Sequence, residues 1–82
     1  PEDQDLRRAR LGVHVIAGEW EAAAREADRL LATLPSGHAY EVDARWSLGA
    51  CHHQRGEYAA ALEQVNRIRE LVRLGTPCGI PD

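Results

Sequence analysis

The side chains most able to do chemistry lie together at Cys51-His52-His53, the only local cluster of groups that bind metals or act as nucleophiles. Neighbouring residues of a helix point about 100° apart, so these three cannot converge on one ion. As a nucleophile, Cys51 lacks an obvious base and an orienting partner. We interpret Cys51 as a small buried residue. We therefore expect no catalytic residue, no metal site and no cofactor, and predict that the protein is not an enzyme.

The chain repeats itself. Gly18-Glu19-Trp20 recurs as Gly56-Glu57-Tyr58, a displacement of 38 residues between positions 18 and 56, and such a period is typical of stacked helical repeats. Apolar character is kept downstream of both units at spacings of three and four residues, which mark one face of a helix. The paired positions are Trp20, Ala23, Ala24, Ala27, Leu30 and Leu34 in the first copy and Tyr58, Ala61, Leu62, Val65, Ile68 and Val72 in the second.

Each Gly-Glu-aromatic unit is predicted to be the turn of a helical hairpin, with glycine ending one helix and the acidic residue favouring the start of the next. The helices that precede the turns are expected at about 3–17 and 38–55. The second helix should stop near Leu34, and Ser36 or its neighbour is expected to cap the third. The predicted domain spans 1–74, with hairpins at about 3–35 and 38–74. The Pro- and Gly-rich segment 75–82 is interpreted as a tail or linker, in which Ile80 could shield part of the last helix.

The second copy resembles a tetratricopeptide repeat (TPR). The resemblance rests on Leu48-Gly49, on the turn Gln54-Arg55-Gly56-Glu57-Tyr58, on Ala61-Leu62 and, in the first copy, on a closing Pro35. Two family markers are not met, because Trp46 lies one position late and Arg73 stands where a closing proline would be. Two registers are open for the first helix. Leu11-Gly12 resembles Leu48-Gly49 but lies one residue closer to its turn, whereas the 38-residue displacement pairs His14 with His52.

The resemblance implies an all-α fold of two antiparallel hairpins stacked as a short right-handed solenoid, in which the first helix of each hairpin lines a groove for a partner peptide or helix. His14 and His52 fall where the family commonly has a packing aromatic. Trp46 is the strongest binding candidate, as an apolar anchor, and a half-buried packing role is the alternative. The predicted groove residues are Asp43, Trp46, Ala50, His53 and Gln54, with Arg8, Gly12 and Val15 from the first helix.

The last helix concentrates apolar residues that its own hairpin cannot fully cover. Ile68, Leu71 and Val72 are therefore predicted to form a self-association face. Two functions follow from these patterns. The first is a module that binds a protein or peptide in its groove or assembles with neighbouring repeats. The alternative is a structural module that forms a homodimer through the last helix without a peptide ligand.

Composition narrows the classes of partner. Abundant Ala and Leu with no Phe or Met favour close-packed helices. A net charge of −3 disfavours nucleic acid, including a helix-turn-helix DNA reader. The apolar runs are too short to span a bilayer, and neither Cys51 nor Cys78 belongs to a disulfide framework, so we expect a cytoplasmic protein without membrane contact. Arg as the only cation besides His is common in GC-rich bacterial genomes, and the absence of Met suggests a piece of a longer chain.

Overall fold

Four helices make up the part of the protein that the computed structural model describes, residues 2–76, with side chains from residue 4 onward. They are α1 (Glu2–Ile16), α2 (Trp20–Thr33), α3 (Ala39–Gln54) and α4 (Tyr58–Arg73). The described chain contains no strand, so the predicted all-α class is confirmed. The helices end within a residue or so of the predicted boundaries. The prediction that Ile80 covers the last helix lies outside the described residues, as does Cys78.

The two hairpin turns share one construction. Gly18 and Gly56 have φ angles of 74° and 77°. Residues other than glycine adopt this left-handed backbone conformation only at a cost in free energy. After each glycine the glutamate N–H donates back across the turn, from Glu19 to the His14 carbonyl at 2.9 Å and from Glu57 to the His52 carbonyl at 2.8 Å. This pattern satisfies carbonyls that the ending helix leaves free. The Gly-Glu units therefore end α1 and α3 as the sequence predicted.

The connection between hairpins is a tight turn in which the His38 N–H donates to the Pro35 carbonyl at 3.1 Å. The predicted cap is corrected in detail, because the capping side chain is that of His38, whose Nδ1 accepts from the Tyr40 N–H at 3.0 Å. Glu41 reaches back and accepts from the Gly37 N–H at 2.8 Å. Together these bonds satisfy N–H groups at the start of α3 and set the direction in which it leaves the loop.

The core lies where α2 packs between α1 and α3. Small residues on α2 let the helices approach closely, and the residues that α3 contributes are equally compact. By contrast, α4 packs against α3 and against no other described helix. The buried cluster consists of Leu11 from α1, Ala23, Ala24, Ala27 and Leu30 from α2, and Ala44, Leu48 and Cys51 from α3.

The 38-residue displacement relates α1 to α3 as well as α2 to α4. The last residues of α1 and α3, Ile16 and Gln54, are 38 positions apart. Equivalent histidines make equivalent bonds, His14 Nδ1 to Glu19 Oε1 at 3.0 Å and His52 Nδ1 to Glu57 Oε1 at 2.8 Å. Of the two registers left open for the first helix, the structure selects the one that pairs His14 with His52.

Candidate partner-binding site

Two clefts flank Trp46, and between them they contain seven of the eight predicted groove residues. We call the first the α1–α3 cleft, because it opens between the first helices of the two hairpins and has a volume of about 460 Å³. Its lining includes the predicted residues Arg8, Gly12, Asp43 and Trp46. The remaining lining residues are Ala9, Leu11 and Ser47.

The polar end of the α1–α3 cleft is internally neutralised. Arg8 donates from Nη2 and Nε to Asp43 Oδ2 at 2.8 and 3.0 Å, and its Cζ lies 4.7 Å from the centre of the Tyr40 ring. The hydrogen bond to Asp43 raises the pKa of Arg8. Tyr40 donates its hydroxyl to Asp5, and this bond raises the pKa of the phenol. Arg8 and Asp43 thus bind each other and hold α1 against α3.

Sequence reasoning placed Arg8 and Asp43 correctly on facing helices but did not pair them. It also missed Tyr40 and Asp5 entirely. Their partners lie 35 residues away along the chain, so no local spacing connects them. The available signal was the opposite charge of residues predicted to line one groove.

The α3–α4 cleft is the second, with a volume of about 330 Å³ and mostly apolar walls. The predicted groove residues Trp46, Ala50, His53 and Gln54 line it from α3. Gly49 forms its floor, where α3 approaches α4 so closely that a side-chain carbon would lie 3.4 Å from Gln64 Cβ. The remaining lining residues are Arg45, Ala61, Val65 and Ile68.

One end of the α3–α4 cleft is braced by Glu41, a buried residue that sequence reasoning overlooked. Arg45 donates to Glu41 Oε2 at 2.8 Å and to Gln64 Oε1 at 3.0 Å, which joins α3 to α4. Burial opposes ionisation of Glu41, yet the bonds from the Gly37 N–H and from Arg45 outweigh it and lower its pKa. Arg67 adds a longer contact, 3.8 Å from Glu41 Oε2. The cleft therefore has a stable polar wall beside its apolar floor.

Trp46 belongs to both clefts and leaves 66% of its surface exposed. That exposure does not fit a half-buried packing residue, which was the alternative role predicted for it. A large apolar side chain held at the mouth of two clefts presents a surface that a partner can bury.

Three predicted site residues lie outside both clefts. Val15 is partly buried against the core and lines neither cleft. Leu71 is only 2% exposed, so it is a packing residue and not part of a self-association face. The other members of that predicted face differ, since Ile68 lines the α3–α4 cleft whereas Val72 is exposed outside both clefts.

The side chains that could act as metal ligands or nucleophiles take part in packing and in the hairpin turns. Cys51 is fully buried, as predicted, and burial raises the pKa of its thiol. His14 and His52 are partly buried, and each contacts the glutamate of its turn, a partner that was not predicted. Among the residues described, no three His, Cys, Asp or Glu side chains converge as a metal site would require.

The fold and the clefts define a small all-α protein built from two repeated helical hairpins. Comparison of the chain with protein-family models, with curated proteins and with solved structures finds no match. No helix within residues 2–76 has the length and apolar character needed to cross a membrane.

Proposed function

We propose that this chain is a TPR-like protein-interaction module that binds a segment of another protein in the clefts on either side of Trp46. The observation that carries the proposal is the exposure of Trp46 between two open clefts. Exposed tryptophan is among the residues most often found to dominate binding energy, because its large ring loses much water-accessible surface on contact.

The walls of the clefts indicate the kind of segment that fits. The α3–α4 cleft is mostly apolar with His53 and Gln54 at its edge, which suits an apolar side chain carried on a helix or an extended peptide. The Arg8–Asp43 pair leaves little unpaired charge in the α1–α3 cleft. Charge matching therefore contributes less to this proposal than apolar contact.

The proposal describes a binding module without enzymatic activity or a cofactor. The net charge of −3 favours protein over nucleic acid as the partner. We also propose that the protein is bacterial and cytoplasmic and that it does not bind membranes. Symmetric self-assembly through α4 is less favoured, since Leu71 of the face predicted for it is buried.

A library of displayed short peptides, selected on the immobilised 82-residue chain, tests the proposal. Selected peptides should bind Trp46→Ala at least about tenfold more weakly, while the melting temperature changes little because the ring is exposed. Leu74→Ala is the matched control, since Leu74 is similarly exposed, at 65%, and lies outside both clefts. The proposal is wrong if the library yields no binder, or if its binders do not distinguish Trp46→Ala from Leu74→Ala.

A further inference from the structure

Apolar surface is left open at both ends of the stack of helices. One surface is the α3–α4 cleft together with Leu62, which is 58% exposed beside it. The other is a row of residues on the outer side of α1, Leu6, Val13 and Ile16, which we call the α1 stripe. These residues are 50 to 89% exposed, and their spacing of seven and three places them along one side of the helix.

The α3–α4 cleft is the repeat of a surface that is covered in the first hairpin. Ala23, Ala27 and Leu30 of α2 are fully buried in the core that α2 forms with α1 and α3. The residues 38 positions later are Ala61, Val65 and Ile68, which line the open cleft. The second hairpin thus has an apolar surface on which a helix could pack in the way that α3 packs on the first hairpin. No described helix covers that surface.

Two residues of the α1 stripe, Leu6 and Val13, repeat the surface through which α3 packs on the first hairpin, whereas Ile16 is equivalent to Gln54. The core residues contributed by α3 are Ala44, Leu48 and Cys51. The residues 38 positions earlier are Leu6, Arg10 and Val13, of which the first and last belong to the α1 stripe. Arg10 takes the place of Leu48, and arginine can lay its aliphatic stem on an apolar wall while its charge stays in water.

The two open surfaces are thus equivalent, through the repeat, to the two sides of the packing between α3 and the first hairpin. From this equivalence we infer that α1 of a second copy of the chain docks in the α3–α4 cleft, continuing the packing of α3 on the first hairpin. The inference rests on the proposed function, since it names a partner for one of the two clefts.

The contact is heterologous, because different surfaces of the two copies meet. Each copy in a pair keeps one unused cleft and one unused stripe, so association continues into rings or filaments and does not stop at a symmetric dimer. Val65 and Leu62 are larger than Ala27 and Ala24, their equivalents under α3. The docked helix therefore meets bulkier side chains than α3 does and packs less closely. For this reason we expect reversible association that depends on concentration.

Sedimentation velocity on the 82-residue chain over a range of concentrations tests the inference. The wild-type chain should form dimers and larger species as concentration rises. Val13→Asp in the stripe and Val65→Asp in the cleft should each weaken association by about tenfold or more, since each places a charge in an apolar contact. Both positions are exposed on helices, and Leu6→Asp, at 50% exposure and equivalent to Ala44, is a second stripe variant should Val13→Asp fail to fold.

Mixing the two variants gives the decisive result. Val13→Asp retains an intact cleft and Val65→Asp an intact stripe, so the mixture should recover association as a one-to-one pair that cannot grow further. Ala59→Asp is the control, because Ala59 is exposed outside the cleft and its equivalent, Glu21, is already acidic. It should associate like the wild type.

Three outcomes would overturn the inference. They are a wild-type chain that stays monomeric at every concentration, a Val13→Asp chain that associates like the wild type, and a mixture that does not recover association. Peptides whose binding still depends on Trp46 would, in that event, leave the proposed function standing.

Discussion

Equivalent positions in the two copies make similar contacts even where the residue types differ. Arg7 lies 3.5 Å from Glu26 in the first hairpin, and the equivalent Arg45 donates to Gln64 in the second. In the second copy Glu41 takes over as the acidic partner of Arg45. Because Glu41 is buried and accepts hydrogen bonds at both carboxylate oxygens, its charge contributes to stability.

Glu41→Gln should lower the free energy of unfolding at neutral pH by about 1–3 kcal/mol, because the amide keeps an oxygen for Gly37 but loses the charge that Arg45 faces. The folded-state pKa of Glu41 is lowered from its ordinary 4.5. The contribution is therefore complete above about pH 4.5 and is lost as pH falls through the lower folded-state value. Urea unfolding of both proteins across this range is the measurement.

Glu63→Gln serves as the control for Glu41. Glu63 is exposed on α4, and the described part of the chain provides no ion pair for it, so its replacement should change stability by less than about 0.5 kcal/mol. A difference between wild type and Glu41→Gln that stays constant from neutral pH into acid would contradict the role assigned to the charge.

Helices begin and end where local chemistry dictates, and the glycines show this most directly. Gly56 holds a φ of 77° at the end of α3, whereas Gly12 lies inside α1 with no atom near the position of an added Cβ. The same residue type therefore has opposite effects in the two elements. At the turn it permits a conformation, and inside the helix it only adds entropy to the unfolded chain.

Gly56→Ala should destabilise the protein by about 1–2 kcal/mol, because alanine is strained in the left-handed region. Gly12→Ala should stabilise it by about 0.5–1 kcal/mol through better helix propensity. Urea midpoints of the two variants, measured beside the wild type, check both signs. Shifts in the same direction would mean that the turn geometry does not control stability.

On the scale of the whole molecule, the two hairpins are alike in sequence and unlike in surroundings. The first hairpin is covered by α3, and the second has no described helix upon it. Equivalent residues thus do different work, since Leu30 is fully buried in the core and Ile68 lines an open cleft. An apolar residue contributes to stability in proportion to the surface that its neighbours remove from water.

Leu30→Ala should cost about 2–5 kcal/mol, enough to unfold much of so small a domain. Ile68→Ala should cost only about 1 kcal/mol at concentrations too low for association. Thermal unfolding of both variants in dilute solution compares them. Equal losses would show that the α3–α4 cleft is covered within the monomer, contrary to its open geometry.

The sequence alone determined the four helices, their turns and the 38-residue repeat. These features depend on interactions within a few residues, namely the spacing of apolar side chains, the left-handed glycines and the prolines that helices cannot include. The same logic named Trp46 and six other residues that line the two clefts, because one face of a helix can be listed from its period.

Only the tertiary structure decided which residues on those faces are covered. The burial of Leu71, the inward position of Val15, the pairing of Arg8 with Asp43 and the bracing role of Glu41 all depend on which helix lies alongside. The period of a helix defines its faces, but burial is decided by neighbours distant in sequence, and local spacing carries no record of them. For that reason the repeat could be predicted from the sequence, whereas the difference in burial between its two copies could be seen only in the tertiary structure.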